Sequence, residues 1–88
     1  MPAVWNIPSS GIRPREVSIY RFLKDARRPV RVVEVRLFRK DPLFGRRPVY
    51  TRRWEPGKAL AATAKEISKY IADSGSVDAT IVASWDDV

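Results

Sequence analysis

The sequence predicts a small α+β domain: an antiparallel sheet of three to four strands with one main helix, over about residues 57–74, packed on one face. Three observations predict it. Residues 30–54 hold two strand-like runs either side of a turn segment; Leu60, Ala64, Ile67 and Ile71 repeat at spacings of three and four; and residues 77–85 alternate between apolar and polar. A chain of 88 residues supplies one core of that size. The expected division is an extended N-terminal arm over 1–14 and a single α+β domain over 15–88.

The arm contains Pro2, Pro8, Pro14, Ser9, Ser10 and Gly11, which favour extended and turn backbone over a helix. Trp5 and Ile7 lie two apart, so both point the same way if the segment docks as a short edge strand. A second use of the arm is to carry Arg13 and Arg15 into a groove of a ligand. Residues 16–27 fit two templates. Val17, Ser18, Ile19, Tyr20 and Phe22 favour a strand, and the spacing of Ile19, Tyr20, Phe22, Leu23 and Ala26 fits a helical face. The strand, turning back through Lys24 to Pro29, gives the order β-β-β-α-β. The helix gives a ferredoxin-like β-α-β-β-α-β.

Val30 to Arg39 is dense in β-branched residues, and Asp41-Pro42-Leu43-Phe44-Gly45 follows with turn chemistry, Gly45 standing where a positive φ is needed. A hairpin is expected. With Lys40 facing Arg46, an uninterrupted ladder puts Val33, Val35 and Leu37 on one face with Val49, Thr51 and Arg53. The other face then holds Glu34 with Arg52, Arg36 with Tyr50, and Val32 with Trp54. In that register Tyr50 and Trp54 share an open face with Arg52, while Arg52 and Arg53 cannot both project outward.

Pro56 suits the first position of a helix that Gly75 ends, and alanines between them keep helix propensity high. Lys58, Lys65, Glu66, Lys69 and Asp73 fall on its outer, solvated side. The last run places Val77, Ala79, Ile81, Ala83 and Trp85 on one side of a half-buried strand, and Asp78, Thr80, Val82 and Ser84 on the other.

Charge is polarised along this chain. Residues 13–58 contain fifteen of the seventeen basic side chains, twelve of the seventeen being arginine, and come to +10, whereas 59–88 come to −3. Such a field attracts polyanions, and the arginine fork matches phosphate oxygens and guanine edges. Other chemistries are poorly supplied. Without histidine or cysteine the chain lacks the commonest general base, thiol nucleophile and metal ligands, so an enzyme, a cofactor or a metal centre is not expected. Asp86 and Asp87, adjacent on a strand end, point to opposite faces. Gly45 and Gly57 stand alone, with no glycine-rich phosphate cradle. No apolar run approaches the ~20 residues of a membrane span and no signal-peptide layout opens the chain, so a soluble, cytoplasmic protein is expected.

The expected interface is therefore nucleic-acid-binding: Arg36, Arg39, Lys40, Arg46, Arg47, Tyr50, Arg52 and Arg53, with DNA favoured over RNA as partner. The alternative is a protein-interaction module, such as a viral or mobile-element accessory protein, an inhibitor or an assembly subunit, whose partner is another protein or a second copy. It rests on small size, three tryptophans and a C-terminal strand taken as an open edge.

From Ser18 to Ile71 the order of features is a strand Ser18-Ile19-Tyr20-Arg21, a basic hairpin with Lys40-Asp41-Pro42-Leu43-Phe44-Gly45-Arg46-Arg47, and Trp54-Glu55-Pro56 leading into an alanine-rich helix. This order resembles the arm-type DNA-binding domain of tyrosine recombinases, in which a three-stranded sheet lies in the major groove and a helix supports it. The resemblance implies base or phosphate contacts from Arg36, Arg52, Arg46 and Arg47. The family has no counterpart for the strand Val77 to Trp85. The helix reading of 16–27 instead resembles the RNA recognition fold in element order. Its basic-Gly-aromatic-Gly-aromatic signature is absent at Arg46-Arg47-Pro48-Val49-Tyr50, so that function is not carried over.

Overall fold

A computed structural model describes residues 2–41, 43, 45–75 and 77–85; the side chains of Lys40, Asp41, Arg46 and Pro48 lie outside that description. Its elements run β1 (Ala3–Ile7), α1 (Glu16–Lys24), β2 (Val32–Asp41), β3 (Gly45–Trp54), α2 (Leu60–Asp73) and β4 (Asp78–Ser84). This is an α+β fold in the β-α-β-β-α-β order. The strands form one antiparallel sheet, β1-β4-β2-β3. Each helix thus joins two parallel strands that have a third between them: α1 joins β1 and β2 around β4, and α2 joins β3 and β4 around β2.

The strand expected over Ser18-Ile19-Tyr20-Arg21 is the middle of α1. Ile19 and Leu23, four apart, are buried against the sheet, and Tyr20, Phe22 and Ala26 pack beside them. That apolar face outweighs the β-propensity of the same residues. Glu16 in the first turn and Arg21 and Lys24 in the last also match the helix dipole.

Both helices cover one face. Ile19, Leu23, Ala64, Ile67 and Ile71 meet Val33, Val35 and Leu37 of β2, Ala79, Ile81 and Ala83 of β4, and Ile7 of β1. Trp5 stands 5.5 Å from Phe22 between ring centroids, so the arm does dock as an edge strand, with Ala3, Trp5 and Ile7 facing inward opposite Ala83, Ile81 and Ala79.

Helix α2 begins later than expected. Gly57 has φ +55°, outside the helical region, and the Ala59 N–H closes a turn on the Pro56 carbonyl at 2.8 Å. Pro56 therefore opens the turn before the helix instead of the helix itself. At the other end Gly75, φ +74°, follows the last turn as its spacing implied.

The C-terminal strand is not an edge. β4 lies between β1 and β2, and Asp78 through Ala83 are buried on both faces, so the half-buried strand and the open edge expected there are both corrected. Central placement explains it: neighbours on either side shield even the outer residues. Thr80 donates to Asn6 Oδ1 at 2.9 Å and Asp78 Oδ1 accepts from the Ser9 N–H at 2.7 Å.

Arg13 is committed to the fold. Its Nη2 donates to the carbonyls of Gly75 and Val77, each at 2.6 Å, tying the arm to the α2–β4 connection. Charge-assisted hydrogen bonds of this kind contribute about 1.5–3 kcal/mol. Arg13→Ala is accordingly expected to lower unfolding free energy by about that amount in a urea titration. A variant as stable as the parent would show that the clamp holds nothing. Carrying Arg13 into a ligand groove would require breaking it.

Candidate nucleic-acid interface

The hairpin register departs from an uninterrupted ladder by one residue. At the tip Lys40 faces Arg46, as the turn chemistry implied, and Gly45 has φ +75°. Arg39 faces Arg47 and Phe38 faces Pro48, but Leu37 faces Tyr50, so Val49 is an extra residue on β3. From this bulge down to Trp54 every β3 side chain is on the opposite face from the one expected.

The consequences separate the candidate residues. Arg52 and Tyr50 lie on the helix side, opposite Val35 and Leu37, while Arg53 and Thr51 face outward, opposite Glu34 and Arg36. Arg52 lies over the Trp54 ring at 4.7 Å and the Tyr70 ring at 5.7 Å. Trp54 meets Tyr70 edge-on, 5.6 Å between centroids. Of the two adjacent arginines, Arg52 is thus the one drawn into packing at the sheet margin. The Arg36–Tyr50 and Glu34–Arg52 cross-strand pairs do not form.

On the outer face Arg36 donates from Nε to Glu34 Oε1 at 2.7 Å, and Arg53 stands across from the same glutamate. That side of the sheet is balanced in charge: Arg36 and Arg53 beside Glu34, with Asp78 of β4 on the same side, then Thr80, Val82, Val4 and Asn6. An exposed pair of this kind is worth about 0.2–1 kcal/mol.

The remaining cations gather elsewhere. β4 pairs with β2 only from Val32 to Phe38, so the β2–β3 ladder continues alone through Arg39↔Arg47, Lys40↔Arg46 and Asp41↔Gly45. At ~3.3 Å per residue these three steps make a two-stranded ribbon about 10 Å long projecting from the sheet. Residues 39–47 carry Arg39, Lys40, Arg46 and Arg47 against Asp41, a net +3. Leu43, near the tip, is 84% exposed.

The eight expected residues therefore fall in three places: Arg39, Lys40, Arg46 and Arg47 on the ribbon, Arg36 and Arg53 on the outer face, Tyr50 and Arg52 on the helix side. Arg52 is engaged by the Trp54 and Tyr70 rings. Sequence reasoning missed a cleft on that side. It has a volume of about 380 Å³ and lies between the ribbon's root and the end of α2, with Leu37, Arg39, Tyr50, Tyr70 and Asp73 among its lining. Asp73 reads in the sequence as one more solvated helix residue, and only the placement of α2 against the hairpin brings it there.

Among the described residues there is no group of three or more carboxylates, histidines or cysteines placed to hold a metal ion, and no helix long and apolar enough to cross a membrane. Asp86 and Asp87 lie outside the described residues, as do Pro42 and Phe44 of the turn. Compared with known proteins, the chain matches no family model, no curated protein and no solved structure.

Proposed function

We propose that this protein binds nucleic acid, duplex DNA by preference, by inserting the ribbon of residues 39–47 into the major groove. The observation that carries the proposal is the run of β2–β3 pairing beyond the end of β4, with four cations on three residue steps. A B-form major groove is about 12 Å wide and about 8.5 Å deep and admits a two-stranded β-ribbon. The ribbon's length of about 10 Å suits that depth. RNA is disfavoured because the major groove of an A-form duplex is deep and too narrow for side chains to read.

Affinity on this reading is mainly electrostatic. Four phosphate contacts correspond to a slope of log K against log salt of about −3.6 on B-DNA. Fluorescence anisotropy with a labelled random duplex measures it. Arg46→Ala with Arg47→Ala is expected to bring the slope to about −1.8 and to weaken binding to all sequences alike, with the circular dichroism spectrum unchanged. Absence of binding at about 50 mM salt would dispose of the proposal, as would a slope that the double substitution leaves intact.

A further inference from the structure

The cleft beside the ribbon combines features that a phosphate-binding surface alone does not need. Leu37, 4% exposed, underlies it; Tyr50, 66% exposed, projects from β3, and Tyr70 faces it from α2. Its volume of about 380 Å³ falls within the range of small-ligand sites, roughly 300–1,000 Å³. Two charged residues of opposite sign line it, Arg39 on the ribbon and Asp73 in the last turn of α2. Among the described residues Asp73 forms no ion pair.

These features select a ligand of one kind. An exposed aromatic ring on a rigid strand is a stacking platform for a flat, apolar face. The carboxylate of Asp73 accepts hydrogen bonds and donates none, and it stands at a helix C-terminus, whose partial negative charge repels phosphate and favours N–H donors. Arg39, on the ribbon side, suits an anion. A ligand spanning the cleft is thus anionic toward the ribbon, planar over Tyr50 and rich in N–H donors toward α2. A nucleotide meets all three demands. Among the bases, guanine alone presents adjacent N1–H and N2–H donors that one carboxylate can accept together.

We infer that the cleft receives one extrahelical guanine of a duplex whose phosphates lie along the ribbon, stacked on Tyr50 with its Watson–Crick edge toward Asp73. The inference rests on the nucleic-acid reading above and adds the part of the ligand that the ribbon does not reach. Extruding a base costs least when it is already unpaired, so a bulge or mismatch is the favoured target.

The test uses the full chain and four labelled duplexes of one sequence, followed by anisotropy: fully paired, with a bulged guanine, with a bulged thymine, and with an abasic bulge. The guanine bulge is expected to bind about five- to a hundredfold tighter than the abasic one. Tyr50→Ala should bring the guanine bulge down to the level of the abasic one, and Asp73→Asn should bring guanine down to the level of thymine. Both side chains are exposed, so both variants should melt with the parent. If the paired and abasic duplexes bind and the guanine bulge binds no tighter, or if Tyr50→Ala keeps the preference, the cleft is not a base site and the ribbon proposal stands. If no duplex binds, both fall.

Discussion

Ile67→Ala is expected to destabilise the domain by about 2–5 kcal/mol, the cost of removing a fully buried isoleucine and leaving a cavity. Ile67 has no exposed surface and sits on the face of α2 that meets the sheet, in the same cluster as Val35, Ile71 and Ile81. Small domains have only about 5–15 kcal/mol to lose, so the melting temperature should fall by roughly 10–30 °C. Thermal melts followed by circular dichroism read this directly. Ile12→Ala is the control: Ile12 is 96% exposed, and its replacement should change stability by no more than about 0.5 kcal/mol. Equal melting of the two variants would mean that α2 does not close the core in the way described.

The contrast between those two isoleucines is the part of the fold that sequence patterning reads well. Leu60, Ala64, Ile67 and Ile71 mark one helical face, the β-branched run after Val30 marks β2, and the alternation from Val77 marks β4, because each pattern depends only on residues within its own element. The helix start and α1 were harder. Gly57 can be helical or not, and only its φ of +55° decides that the chain turns there before α2 begins. Ile19 and Leu23 lie on one face in either a strand or a helix, and the choice is made by where α2 and the sheet leave room. Strand order is not written in any single element: β4 sits between β1 and β2, with its inner residues Ala79, Ile81 and Ala83 in the core shared with both helices. The bulge at Val49 mattered most for the site. Its one signal in the sequence is the neighbouring Pro48, since a proline inside a strand is confined to edges and bulges, but that does not fix where the register slips, and the slip moves Arg52 and Tyr50 to the helix side and Arg53 to the outer side. The ribbon escaped this error because it lies on the tip side of the bulge, where pairing is fixed by the turn and by Gly45.

Replacing Arg39, Lys40, Arg46 and Arg47 together by glutamine is expected to move stability and binding in opposite directions. In the ladder Arg39 stands directly opposite Arg47, and Lys40 opposite Arg46. Like charges so placed oppose strand pairing by about 0.2–1 kcal/mol each, and no further strand of the sheet supports the ribbon at that level. Removing them should therefore leave the domain as stable as the parent or raise its unfolding free energy by up to about 2 kcal/mol. A phosphate backbone supplies counter-charge to a ribbon whose residues 39–47 carry a net +3. At about 0.1 M salt, four lost phosphate contacts remove between three and four powers of ten in affinity, and the remaining binding should be nearly independent of salt. Calorimetry on the free protein and a salt series with a labelled duplex give the two signs separately. A quadruple variant that is less stable than the parent would show the cations serving the fold, and one that still binds with a steep salt slope would place the interface on cations outside the ribbon. The expected pairing of a gain in one measurement with a loss in the other is what distinguishes a surface kept charged for a ligand from one kept charged to block an exposed edge.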